Sequence, residues 1–323
     1  MGWMDFQIDY LLLLQSFREY TGGIFDNFFL TVTHFGESTY PLFMIAGIYW
    51  CINSKLGMYI YWNLGLGTFI CDFLKNIACI YRPWIIDSRV QPVPDALKMA
   101  HGYSFPSGHT QNAVSVWGSL AYHFKNKFLK CFLILLILTI AFSRNYLGVH
   151  TPQDVVVSLI VTTVLIFSVP KIMKWVKNGE KRDIYLYLLI FLLSVSFLVF
   201  ENFKTYPMDY IDGKLLVDPL KMRFASFPKT GMFLGIFTGW LINKRCINYD
   251  GTVGTITGKI VRFFIGISVY WFILTYAKDF YMTFLPKTYA MFLSSFSLVI
   301  YATVLYPLCV KGYYKLRNGD KNP

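Results

Sequence analysis

The sequence predicts an all-α, polytopic transmembrane helical bundle of about nine spans, preceded by an interfacial helical segment. Two observations predict it. Hydrophobic residues make up 55% of the 323-residue chain and charged residues only 15%, far from the balance of a water-soluble domain. The apolar residues also gather into stretches of about 18 to 22, the length at which a helix crosses a hydrocarbon core. The spans fall at 39–53, 57–79, 104–124, 130–148, 153–173, 184–200, 224–243, 261–279 and 288–311, the first of them short.

Residues 4–36 read differently. Apolar Leu11–Leu14 and Phe28–Leu30 are broken by Asp9, Arg18, Glu19, Asp26 and the Gly22-Gly23 pair, which favours a helical hairpin at the membrane surface over a further span. Asp5 and Asp9, with no basic stretch before them, argue against a cleavable signal peptide. The basic turn at Lys171–Asp183 divides the rest. Three segments are therefore expected: 1–38 interfacial, 39–178 a five-span core, and 179–323 an extension of four spans. In the extension, Gly231, Gly235 and Gly239 recur every four residues, a pattern that lets two helix backbones approach closely. The outer loop 82–104, with Pro83, Pro92, Pro94, Gly102 and mixed charge, is expected to be ordered irregular chain rather than a helix, and a second outer loop, 201–223, is rich in Asp, Lys and Pro.

The net charge of +12 raises the question of nucleic acid, and its distribution answers it. At alternate span ends, one side of the bundle holds seventeen cations, from Lys55 through Lys125, Lys177 and Lys244 to Lys321. Only Glu180, Asp183, Asp250 and Asp320 stand against them. That side carries +13 and the other −1. Such an asymmetry orients a membrane protein with its basic side in the cytoplasm, so the partner is the lipid bilayer and not nucleic acid. Six cysteines are scattered in or beside spans with no C-x-x-C pair; they read as buried thiols, and no clustered ligands suggest a metal.

Ionisable residues are costly near an apolar bundle, and here they converge at the outer ends of successive spans. Lys75 and Arg82-Pro83 follow the second span, Pro106-Ser107-Gly108-His109 opens the third, Ser143-Arg144 closes the fourth, and His150 and Asp154 lead into the fifth. Singly, each has an ordinary explanation: a snorkelling pair, a helix cap, an i,i+4 hydrogen bond. Together they gather three cations, two histidines and a glycine helix start with one acid, which is the wiring of a phosphate site. The forks of Arg82 and Arg144 match phosphate oxygens, and Lys75 adds a point charge. Backbone N–H groups of Ser107 and Gly108 at a helix start suit an anion. His150, oriented by Asp154, is placed to attack phosphorus, and His109 to protonate the leaving oxygen. With that positive field, neither metal nor other cofactor is required.

These residues resemble the type 2 phosphatidic acid phosphatases, a superfamily that includes glucose-6-phosphatases and vanadium haloperoxidases. Lys-x6-Arg-Pro is met at Lys75 to Pro83, Pro-Ser-Gly-His at Pro106 to His109, and Ser-Arg-x5-His-x3-Asp at Ser143 to Asp154, eleven fixed positions in order. The resemblance covers residues 39–173 and implies a membrane phosphatase whose second histidine is the nucleophile and whose first is the acid. The four further spans look like the nine-span plan of glucose-6-phosphatases. The expected reaction is hydrolysis of the phosphate ester or pyrophosphate of a lipid through a phosphohistidine. A sugar phosphate as substrate and phosphotransfer to an acceptor other than water stay open. A non-catalytic anion transporter fits least, since transporter sites lie near the midplane between repeats and no repeat is seen.

The expected location is a cell or endoplasmic-reticulum membrane, with the carboxyl end cytoplasmic and the site on the extracytoplasmic or lumenal side. Cysteine labelling in intact cells checks this orientation. In a cysteine-free background, an impermeant maleimide should reach a thiol placed at Asp95 and miss one at Asn126; the reverse pattern would put the site in the cytoplasm.

Overall fold

A computed structural model describes residues 2–37 and 39–318. Asp320 and Lys321, which enter the charge balance, lie outside the described residues. The chain runs α1 (Trp3–Tyr20), α2 (Asp26–Thr33), α3 (Thr39–Gly47), α4 (Ser54–Ala78), α5 (Pro83–Ile86), α6 (Pro94–Leu97), α7 (Gly108–Ala113) and α8 (Ser119–His123). It continues with α9 (Lys127–Tyr146), α10 (Pro152–Lys177), α11 (Arg182–Phe203), a short β1–β2 pair (Tyr210–Ile211 and Lys214–Leu215), α12 (Pro219–Ile242), α13 (Ile256–Met282), α14 (Lys287–Ile300) and α15 (Tyr306–Asn318). Wider helical turns extend α3 and α12, link α7 to α8, and link α14 to α15.

Among the described residues six helical stretches are long and apolar enough to cross a membrane: Ser54–Ile86, Lys127–Tyr146, Pro152–Lys177, Arg182–Phe203, Ile256–Met282 and Lys287–Leu316. The other three expected spans are also helical. Pro41–Ile52 is short, 108–123 is a run of joined short helices, and α12 carries Lys221, Arg223 and Lys229 in its first half. Large apolar side chains such as Phe128, Phe132 and Leu135 on α9, and Phe264, Ile265 and Phe272 on α13, stand exposed, as they do when hydrocarbon rather than water is the solvent.

Loop 82–104 departs from the irregular chain expected of it. It contains α5 and α6, each begun by a proline at its first turn, where the missing N–H costs nothing. In loop 201–223, Asp212 and Gly213 both adopt positive φ and close an antiparallel hairpin, as Asp-Gly pairs do. The cysteines are all free, yet only Cys51 and Cys71 are buried; Cys131, Cys246 and Cys309 are exposed, contrary to the buried reading. A thiol is a small apolar group, so a helix face turned to lipid accepts it as readily as a core.

The chain forms two compact units. The first comprises the chain up to Pro41, Leu66–Phe167 and Thr205–Met222. In it the 4–36 region is a helix pair, α1 and α2, joined through Gly22 and Gly23, both at positive φ. Gln7 of α1 is fully buried, and its amide is satisfied by Gln153: it accepts the Gln153 N–H at 2.9 Å and donates to Gln153 Oε1 at 3.3 Å. Phe29 of α2 packs on Tyr146 of α9 with ring centroids 4.4 Å apart, and the Tyr146 hydroxyl donates to Asp26 at 2.9 Å. Away from these contacts α1 exposes Trp3, Phe6, Leu13, Phe17 and Tyr20, one aromatic-rich stripe at helical spacing.

The second unit comprises Leu42–Gly65, Ser168–Lys204 and the chain from Arg223 onward. Trp50 is buried at its centre: its indole N–H donates to the Ala302 carbonyl at 2.7 Å, and its own carbonyl accepts Arg262 Nη1 at 2.8 Å and the Tyr249 hydroxyl at 2.6 Å. Asp183, at the start of α11, takes Lys244 and both edges of Arg245, at 2.7 to 3.0 Å. The glycines at 231, 235 and 239 do what their spacing suggests: each turns the bare side of α12 to Phe292, Phe296 or Thr303 of the α14 stretch. At Gly231 the obstacle to any side chain is the Phe292 backbone carbonyl, which cannot swing aside. Gly231→Leu should therefore destabilise the protein by roughly 1–3 kcal/mol, read as a lowered Tm in detergent, whereas Gly312→Leu, where a Cβ meets nothing within 4 Å, should not.

Candidate active site

All eight residues expected at the site lie in the first unit, and local sequence explains how each is presented. Pro83 starts α5 and holds Arg82 in extended backbone, directing that residue inward rather than along the helix. α9 ends at Gly148, whose positive φ (72°) reverses the chain. The Arg144 carbonyl then accepts the amides of Val149 and His150, at 3.1 and 3.2 Å, so His150 is folded back onto the end of the helix that carries Arg144. Asn145 Nδ2 fixes the His150 carbonyl at 2.9 Å.

His150 is buried between opposite partners. Arg82 Nη1 donates to its Nε2 at 2.9 Å, and Asp154 Oδ2 lies 3.3 Å from Nδ1. Arginine has only donors, so Nε2 carries the lone pair and Nδ1 carries the proton, the tautomer that leaves Nε2 free to act as a nucleophile. Burial, followed by the Arg82 and Arg144 guanidiniums and Lys75, holds the imidazole well below the ordinary histidine range and therefore neutral at pH 7.

Arg82 spends most of its donors on the protein: Nε on the Gly102 carbonyl (3.1 Å), Nη2 on that of His101 (3.0 Å), and Nη1 on that of Val149 (2.9 Å) as well as on His150. Arg144 is the opposite case. It is fully buried and donates from Nη1 to Thr33 Oγ1 at 2.6 Å, while its Nε and Nη2 have no partner among the described residues. The Nε2 of His109 is likewise buried and unpartnered, and Arg144, His150 and Arg82 all act electrostatically on that ring. Buried polar atoms are rarely left unsatisfied, and two nitrogens on one guanidinium edge and an imidazole nitrogen left so in one neighbourhood call for an anionic ligand.

Two expected roles change on inspection. The Ser107 amide donates to the Asp154 carbonyl at 3.0 Å, and its hydroxyl caps α7, accepting the Thr110 hydroxyl at 3.0 Å. The amides left for an anion are those of Gly108 and His109; beside Gly108 a Cβ would meet nothing within 4 Å, so the space there is open. Lys75 directs its ammonium onto the carbonyls of Tyr103, Ser104 and Pro106, at 2.8, 3.0 and 3.0 Å. It orders the turn before α7 and adds charge from behind rather than reaching forward.

Ser104 was visible in the sequence without a role. Its hydroxyl donates to Asp154 Oδ2 at 2.5 Å and lies 3.3 Å from His150 Nδ1. Thr33, and the His34–Glu37 ion pair (2.7 Å) that flanks Gly36, gave no sequence signal beyond belonging to an amphipathic segment. Among the described residues no group of three His, Cys, Asp or Glu side chains is gathered as a metal-ligand set.

Comparison with known proteins gives the family. Residues 56–178 match the PAP2 superfamily, and residues 227–315 match the transmembrane extension of PAP2 superfamily phosphatases. The chain is 33% identical over 167 residues to phosphatidylglycerophosphatase B of Bacillus subtilis, covering 47% of this chain and 76% of that protein. It is 25% identical over 166 residues to lipid A 4'-phosphatase of Porphyromonas gingivalis (48% and 69%). It is 27% identical over 150 residues to undecaprenyl-diphosphatase BcrC of Bacillus subtilis (45% and 73%). No solved structure matches. The chain belongs to the PAP2 superfamily, and it is a multi-pass membrane phosphatase.

The shared carboxylate gives a test of the geometry. Ser104→Ala removes a donor from Asp154 and a neighbour from His150 while leaving both in place, and such supporting contacts are commonly worth about 10-fold or more in activity. The kcat of Ser104→Ala should fall by roughly that factor with Tm little changed; an unaltered kcat would remove Ser104 from the site.

Proposed function

We propose that the protein hydrolyses the phosphate monoester or pyrophosphate of a membrane lipid through a phosphohistidine on His150. The reaction needs no metal and takes place at the extracytoplasmic or lumenal face. The observation that carries this reading is the placement of the His150 lone pair, with Asp154 behind the ring and the open edges of Arg144 nearby.

In the first step the phosphoryl group displaces Arg82 from Nε2. A bond forms from Nε2 to phosphorus as the bond from phosphorus to the leaving oxygen breaks, and that oxygen takes a proton from His109. Asp154 stabilises the positive charge that the ring acquires. In the second step water gives a proton to His109 and attacks phosphorus, the N–P bond breaks, and its electron pair returns to Nε2. Arg82, Arg144 and the amides at the start of α7 stabilise the charge on the phosphoryl oxygens throughout.

Two lines support the substrate and the face. Three relatives bear the names of lipid phosphatases, one of them a diphosphatase. The +13 and −1 sides support a site opposite the basic loops, because membrane potential and anionic inner-leaflet lipids favour cations in the cytoplasm.

Rapid acid- or base-quench of the detergent-solubilised enzyme with a 32P-labelled lipid phosphate tests the reading. Base-stable label is expected on the peptide containing His150, absent in His150→Ala, and undiminished by a chelator. Label on another residue, or turnover abolished by the chelator, would overturn it.

A further inference from the structure

We infer that Thr33 is a positioning residue of the phosphatase site, and that the N-terminal helix pair is thereby part of the catalytic apparatus rather than only a surface attachment. The inference rests on the phosphate-binding reading of Arg144.

Arg144 has five N–H donors, and among the described residues the one group that receives any of them is the Thr33 hydroxyl, at 2.6 Å. A fully buried guanidinium with a single fastening turns about its long side chain until that fastening sets its plane. Thr33 therefore decides where the Nε and Nη2 edge points. A misplacement of about 1 Å at such an edge can cost on the order of 100-fold in rate. Thr33 is itself fully buried at the end of α2, and its β-branched side chain has few rotamers to choose from.

The hydroxyl is also held in place from both sides. Phe29 and Asp26 tie α2 to Tyr146 of α9, two residues beyond Arg144. On the other side the Phe35 carbonyl accepts the Trp117 indole N–H at 3.0 Å, and the Gly36 carbonyl accepts Asn112 Nδ2 at 3.1 Å. Gly36 lies so close that a Cβ there would come within 2.8 Å of the His109 carbonyl oxygen and 2.9 Å of Ile140. The segment that presents Thr33 is thus packed onto the backbone of His109 and onto the helix of Arg144, and it relates the two. Nothing in the composition of residues 1–38 required this.

The test uses the full-length protein in detergent, orthovanadate as a phosphate analogue, and hydrolysis of a lipid phosphate. Thr33→Val keeps shape and removes the acceptor; it should raise the vanadate inhibition constant and lower kcat/KM, each by roughly 10- to 100-fold. Thr33→Ser should restore both to near the wild-type values. In an Arg144→Ala background, Thr33→Val should cause no further loss of the residual rate, because the group it positions is gone. Wild-type behaviour in Thr33→Val, or an equal loss with and without Arg144, would overturn the proposal. Should Thr33→Val not fold, Thr33→Cys, close in size and a weak acceptor, replaces it with the same two outcomes. If the wild-type protein fails to hydrolyse any lipid phosphate, the phosphatase reading fails separately. The shift in melting temperature with vanadate, compared between wild type and Thr33→Val, then still decides the role of Thr33: an equal shift in both overturns it.

Discussion

One oxygen of Asp154 receives the Ser104 hydroxyl at 2.5 Å, the Thr151 N–H at 2.8 Å and His150 Nδ1 at 3.3 Å, while the backbone carbonyl of the same residue receives the Ser107 N–H at 3.0 Å and the Ser158 hydroxyl at 2.9 Å. The first residues of α10 are bound in this way to the turn that opens α7, across some fifty positions of sequence. Each of these bonds is buried, where an unmade partner is expensive and a made one is strong. The tautomer of His150, the cap on α7 and the path of residues 104–108 all follow from that junction. The remaining residues add charge to a frame that Asp154 has already joined.

Much of this was readable from the sequence for a physical reason. In a chain that is 55% hydrophobic, Lys75, Arg82, Arg144 and Asp154 stand out because placing charge beside lipid needs a use that offsets its cost. Span positions followed from length and apolarity in the same way. What could not be read were partnerships made through backbone carbonyls and hydroxyls. Lys75 has the composition of a phosphate ligand, and only the fold shows its ammonium turned onto three carbonyls. Thr33 lies 111 positions from Arg144, and a threonine in an amphipathic helix carries no mark of its partner. The Asp212-Gly213 hairpin did carry a mark, the turn dipeptide itself, but the polar loop around it hid two-residue strands too short to show alternation.

The second unit shows how the same residue type serves a different end. Arg262 is buried as Arg144 is, yet its two Nη groups are taken up by the carbonyls of Trp50 and Val253 and the hydroxyls of Tyr249 and Tyr314. With both Nη groups so engaged and Nε alone left open, Arg262 binds loop 249–254 to its own helix and offers little to a ligand. Asp183, with Lys244 and Arg245 both upon it, is neutralised on the spot. The contrast with Arg144 separates a charge used for architecture from a charge held ready, and the difference is visible only in the count of donors still open.

The fastening of the turn at residues 103–106 has a consequence for how a molecule arrives. Three carbonyl oxygens pointing at one place repel one another unless a cation stands among them, and the Lys75 ammonium supplies it with one hydrogen for each. Lifting this turn would take three acceptors from the ammonium at once, in surroundings where water cannot quickly replace what is lost. The turn is therefore a fixed wall. A molecule bound at the site meets, on this side, backbone that keeps its shape rather than a segment that swings aside.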